Sequence, residues 1–179
     1  MSSTLIALVA LAAILLVMAA EARVSRRNER ALRARQAVEP PGDVYAVMQW
    51  AYPALFVAMA VEGAIAGADS GMHTGVGLLV LTASKVLKFW AIRTLGPRWT
   101  FRVLVVPGEP LVERGPYAFV RHPNYVAVVG EIVGTALLVG ARVTGPAAVV
   151  LFGVLLYKRI RVEDRALRYP LAPEPKTEP

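Results

Sequence analysis

Two groups of polar side chains in this sequence could do chemistry beside a membrane. The first lies in GPYAFVRHPNYVAVVGE, residues 115–131, where Tyr117, Arg121, His122, Asn124 and Tyr125 precede an apolar run holding one acid, Glu131. Pro123 restricts His122 to extended backbone and suits a first helical turn, so RHP predicts the start of a helix. Unpaired N–H groups at such a start favour an anionic group, and Asn124 and Tyr125 can face the same ligand from the first turn. The same residues also read as interface anchors, with Tyr125 as a belt tyrosine. Glu131 argues for more, because an acid inside a span is costly and is by default functional or paired. Glu62, nearer the other side, reads as a structural partner. The second group is Arg159 and Glu163, four residues apart on one helical face. As an exposed ion pair they are worth a few tenths of a kcal/mol, and arginine before glutamate is the weaker order. With no cysteine and only His73 and His122, thiolate, disulfide and histidine-rich metal chemistry are excluded.

The elements that must position these groups are membrane helices. The 179 residues are 56% hydrophobic but only 8% aromatic, and several apolar runs approach the roughly 20 residues that cross a bilayer. Spans are expected at residues 4–20, 44–66, 74–94 and 124–140, with 145–157 leading back. The prediction is an all-α integral membrane protein of about five transmembrane helices. The last two make a short helical hairpin, and the final helix runs on into the cytoplasm through KRIRVEDRALR. Residues 1–43 read as an N-terminal span with a basic cytoplasmic linker, 44–168 as the main membrane domain and 169–179 as a disordered proline-rich tail. A cleaved signal peptide competes for the first run, but positive residues follow that run instead of preceding it.

The net charge is +7, and its distribution carries the meaning. Arginines crowd residues 23–35, five more lie between Arg93 and Arg121, and another basic group runs from Lys158 to Lys176. These alternate connections place the N-terminus outside and the dense polar chemistry at the cytoplasmic face. Attraction to anionic headgroups follows; nucleic acid is not implied. Within the third span, Lys85, Lys88, Trp90 and Arg93 are expected to anchor or snorkel at the interface.

The run LVERGPYAFVRHPNYVAVVGE, with RIRVEDRAL further on and KFWAIRTLGPRWT before it, resembles the isoprenylcysteine carboxyl methyltransferase family in its bacterial branch. That resemblance covers roughly residues 75–168 and implies an integral membrane enzyme using S-adenosylmethionine. It further implies that Tyr117, His122, Pro123, Asn124, Tyr125 and Glu163 contact the cofactor, and that Leu111 and Val112 line its pocket. Arg159 falls where the family engages the methyl acceptor, and Glu131 is grouped with it as substrate-binding. The aromatic stretch that often follows the acidic pair is absent here, replaced by YPLAPEP, and the first half of the chain matches no motif.

Methyl transfer from a sulfonium is an in-line displacement that needs positioning more than a base. The expected acceptor is therefore a lipid-like carboxylate, phenol or enol, already acidic enough to ionise. An alanine-, valine- and arginine-rich composition suggests a bacterium of high GC content, which leans the acceptor toward a long-chain phenol or pyrone at an inner membrane. Two other readings stand beside this one: an NADPH-dependent membrane reductase of the sterol or steroid-reductase type, and a non-catalytic membrane scaffold.

Overall fold

The computed structural model describes residues 3–67 and 71–168; these form five α-helices and no strand. The outer turn expected at GADSG falls partly outside the described residues, and the tail from residue 169 wholly so. Helix α1 (Ser3–Ala34) is unbroken. Its leucine- and alanine-rich half passes directly into arginines and glutamates, all good helix formers, with no glycine or proline before Pro40. Helices α2 (Tyr45–Ala66) and α3 (Met72–Leu95) follow. A long connection with 3-10 turns at Gly96–Arg98 and Gly115–Ala118 leads to α4 (Pro123–Val139) and α5 (Thr144–Arg168). Helix α1 and the segment Met72–Arg98 are long and apolar enough to cross a membrane, and α4 is a shorter apolar helix. Large apolar side chains such as Leu16, Ile65, Leu79 and Val150 are largely exposed on the helices. Water would not favour such surfaces, whereas lipid does.

Helices α3 and α4 pack most closely, through small residues. A Cβ on Gly77 would strike the Leu138 backbone, one on Gly134 the Leu81 backbone, and one on Gly130 the Ser84 hydroxyl. This is the close approach that small residues permit between helices in lipid. Helices α4 and α5 are joined by a tight turn that begins with Gly140 in the left-handed region. Glu62 at the end of α2 closes that turn. Its carboxylate accepts the Val143 and Thr144 N–H groups at 2.9 and 2.7 Å and the Thr144 hydroxyl at 2.6 Å. A carboxylate from one helix thus caps the N-terminus of another, satisfying donors that α5 cannot satisfy itself. The apolar core joins Ala7, Ala10 and Ile14 of α1 to Phe56 and Met59 of α2, Ile132 and Val139 of α4, and Phe152 and Leu156 of α5.

Inside this bundle lies a compact ionic cluster. Lys88 Nζ is 2.8 Å from Glu21 Oε2 and 3.3 Å from Glu131 Oε1. Lys85 Nζ is 2.8 Å from Glu131 Oε2, which also accepts the Tyr52 hydroxyl at 2.8 Å. Two acids and two lysines balance one another across α1, α3 and α4, and Tyr52 adds α2. The expectation that Lys85 and Lys88 act as interface anchors is thereby corrected. Lys88 is 3% exposed and Glu131 wholly buried, so the lysines turn inward to neutralise acids that lipid could not solvate.

Removing one member leaves a buried charge without its partner, which costs about 3–5 kcal/mol. Glu131→Ala is therefore expected to unfold in detergent at a much lower temperature. Glu131→Leu with Lys88→Met, which removes one charge of each sign, is expected to be far milder. A Glu131→Ala protein as heat-stable as the wild type would contradict this role for the cluster.

Candidate active site

Below this core the connection between α1 and α2, residues 35–43, crosses the long α3–α4 connection as a strap. Val38 and Val105 exchange both backbone hydrogen bonds, at 2.8 and 3.0 Å. Arg102 Nη1 donates to Glu39 at 2.7 Å, and Arg35 pairs with Glu109. Glu109 also takes Arg98 Nε at 2.9 Å. From α1, Asn28 donates to the Trp99 carbonyl at 2.8 Å, and Ser25 accepts the Phe101 N–H at 2.8 Å while donating to Glu29 at 2.6 Å. A loop rich in proline and glycine has few internal hydrogen bonds, so these partners supply them. The strap ends at Asp43, which accepts the Tyr45 N–H of α2 and the Val103 N–H of the loop, both at 3.2 Å.

Beside these contacts lies an open cavity of about 200 Å³. Its lining includes Leu111, Val112, Tyr117, His122, Asn124, Tyr125, Arg159 and Glu163, each singled out from sequence. Pro123 does not line the cavity; it opens α4 and holds His122 before the first turn. Glu131 is not brought there either. Its carboxylate is held by Lys85, Lys88 and Tyr52, so the acid grouped with the acceptor site belongs to the core cluster. The helix start offers less to an anion than its sequence suggests, because the Tyr125 and Val126 N–H groups turn back to the His122 carbonyl.

The polar side chains link four segments: the strap, the long connection, α4 and α5. Tyr125 donates its hydroxyl to Glu163 Oε2 at 2.5 Å and accepts Arg159 Nε at 2.9 Å. Arg159 Nη1 reaches Asp43 at 2.9 Å, and Nη2 bonds the Phe101 carbonyl. His122 stacks on Tyr125 with ring centres 5.4 Å apart and meets Asp164 through Nε2 at 3.1 Å. Arg121 Nε lies 3.2 Å from the same Asp164 oxygen. Trp99 Nε1 reaches Asn124 Oδ1 at 3.4 Å, a long bond that ties the loop to the first turn of α4. Burial, with the Glu163 charge nearby, pushes the Tyr117 phenol well above its ordinary range, so it stays a neutral donor.

Sequence reasoning missed Asp43 and Asp164. Asp43 carried a weak sign, an aspartate after Pro-Gly at the start of a helix, where such residues cap. Asp164 adjoins Glu163 in RVEDRAL. That it holds His122 became visible only once α5 was placed against the start of α4.

The model of the isoprenylcysteine carboxyl methyltransferase (ICMT) family matches residues 76–169, more than half of the chain. The chain belongs to that family. It is also 36% identical over 145 residues to the uncharacterized protein YpbQ of Bacillus subtilis, covering 80% of this chain and 86% of that protein. An uncharacterized protein of Haemophilus influenzae is 25% identical over 146 residues, covering 81% of this chain and 85% of the relative. No solved structure matches. Membership in the ICMT family implies a membrane methyltransferase that uses S-adenosylmethionine. The matched segment holds every cavity residue singled out from sequence from Tyr117 onward, together with Leu111 and Val112, while Glu39 and Asp43 lie ahead of it.

The strap should respond to acid. Burial tends to raise the Glu39 carboxyl, but hydrogen bonds from Arg102 and Arg33 outweigh it and leave the group below its ordinary 4.5. A lowered value means stability that is present above that ordinary value and lost as pH falls through the depressed one. Glu39→Gln is thus expected to melt earlier than wild type near neutral pH, with the gap closing as pH falls below the ordinary 4.5. Melting curves of both proteins against pH provide the check; a gap that stays constant into acid would refute it.

Proposed function

We propose that the protein transfers a methyl group from S-adenosylmethionine to an oxygen, carboxylate or phenol/enol, of a lipid-like acceptor. The reading rests foremost on Tyr125, which joins Glu163 and Arg159 at 2.5 and 2.9 Å beside a cavity with both charged and apolar walls. The residues present fit such a cofactor. Glu163 suits an ammonium or a ribose hydroxyl, and Leu111, Val112 and Trp99 offer apolar surface to a flat base. Arg98 and Arg121 keep N–H groups beyond those given to Glu109 and Asp164, and these suit a carboxylate. When bound, the cofactor supplies an electrophilic methyl group with a neutral thioether as leaving group.

The chain's own residues do the positioning. Three of the N–H groups of Arg159 are taken by Tyr125, Asp43 and Phe101, so donors remain on the guanidinium. These orient an anionic acceptor oxygen by charge-assisted hydrogen bonds. An acceptor that is already ionised needs no strong base, and holding two reactants in line contributes several kcal/mol by itself. Leu111 and Phe119 are exposed around the cavity and on the adjoining turn, a surface suited to an acceptor arriving from lipid. The arginines of the α1 extension, the long connection and the α5 extension gather at this end. That favours five spans in a bacterial inner membrane, with the N-terminus outside and the cavity facing the cytoplasm.

S-adenosylmethionine is expected to raise the melting temperature of the detergent-purified protein, by about 2.7 kcal/mol of stabilisation at a hundredfold excess over its Kd. NADPH is expected to leave it unchanged. Glu163→Gln should weaken the S-adenosylmethionine effect about tenfold or more. Membranes expressing the protein and supplied with labelled methyl donor should yield a labelled lipid-soluble product by mass spectrometry. Protection by NADPH in place of S-adenosylmethionine would defeat the proposal and favour a reductase.

A further inference from the structure

Arg159 and Glu163 stand four residues apart on α5, within reach of each other on one helical face. They nevertheless form no direct ion pair. The ion-pair partner of Arg159 is Asp43, at 2.9 Å from Nη1, and both side chains are almost fully buried at 6% and 5% exposure. Two further N–H groups of Arg159 go to the Tyr125 hydroxyl and the Phe101 carbonyl. The Glu163 carboxylate, 29% exposed, takes the Tyr125 hydroxyl and lies 3.8 Å from His122 Nδ1, with no arginine on it. Around the rest of the cavity, arginines already have acids: Arg98 has Glu109, Arg102 has Glu39 and Arg121 has Asp164. Glu163 is the carboxylate lining this cavity that no lysine or arginine engages directly among the described residues.

We infer that Asp43 is a positioning residue that holds Arg159 off Glu163, keeping that carboxylate free for the cationic part of a ligand. The inference rests on the proposed function for the identity of that ligand, a sulfonium that also bears an ammonium group. Asp43 is well placed to hold firm. Its two oxygens also accept N–H groups from Tyr45 and Val103, so it is fixed to the first turn of α2 and to the loop before it competes for the guanidinium. Without the Asp43 charge, the nearest acid to Arg159 on its own helix is Glu163. The guanidinium then neutralises the group that the cofactor needs. A residue ahead of the family-matched segment thus governs whether a carboxylate within it stays unpaired.

The test is S-adenosylmethionine binding by calorimetry to the full-length protein in detergent, with melting temperatures recorded alongside. Asp43→Asn keeps the size and an acceptor oxygen but drops the charge; its Kd is expected to rise about tenfold or more. Asp43→Glu, which keeps the charge, is expected to stay within about threefold of wild type. Asp43→Asn combined with Arg159→Gln is expected to recover most of the lost affinity, because the competing cation is gone. Recovery by a second deletion is a result that simple loss of structure does not produce. The inference is overturned if the double variant binds no better than Asp43→Asn, if Asp43→Asn binds like wild type, or if Asp43→Glu binds no better than Asp43→Asn. Wild-type protein that binds no S-adenosylmethionine would instead strike at the proposed function, and this inference would go with it.

Discussion

The bundle depends on neutralising charge where there is no water. Glu131 is wholly buried, and an acid at that depth is tolerable only because Lys85, Lys88 and Tyr52 meet it. Lys88 in turn requires Glu21. Each group is expensive alone, and the set is balanced only when α1, α2, α3 and α4 stand in one arrangement. Apolar packing in lipid is weakly directional, since leucine against leucine resembles leucine against an acyl chain. The cluster therefore supplies specificity that the apolar faces lack, and the glycine contacts between α3 and α4 let it close. It also holds α4 against α3, and the first turn of α4 carries Asn124 and Tyr125 to the cavity.

The same principle recurs at the site with a different result. Around the cavity acids and arginines are matched one against another, but there the matching leaves one carboxylate over. Core charges are paired to be silent. The site is organised so that Glu163 meets a hydroxyl and an imidazole, both of which can adjust to a ligand, while the rigid guanidinium is turned toward the strap.

Much of this was legible in the sequence. The helix boundaries follow from apolar runs and from punctuation by glycine and proline, as at Pro123 and Gly140. The cavity residues Tyr117, His122, Asn124, Tyr125, Arg159 and Glu163 were named by motif and spacing, and they converge. What could not be read was partnership across the fold. Lys85 and Lys88 lie at positions where interface lysines are common, and nothing local says that Glu21 and Glu131 wait on the helices beside them. Arg159 and Glu163 look like an ordinary helical pair because spacing shows who can meet. It does not show that Asp43, more than a hundred residues earlier, has the stronger hold. Glu62 was read as structurally paired, and its partner is a helix end, two backbone N–H groups and the Thr144 hydroxyl, which spacing alone does not point to.

The strap bears on how this protein could be cut and recombined. Residues 35–43 meet the loop through Arg35 with Glu109, Val38 with Val105, Glu39 with Arg102 and Asp43 with Val103, and meet α5 through Asp43 with Arg159. The portion recognised by the family model therefore has contact partners that lie ahead of it in the chain. A chimera that took its first two helices from one relative and its remainder from another would inherit half of every such handshake. The two portions are expected to travel together through evolution, or to change in step.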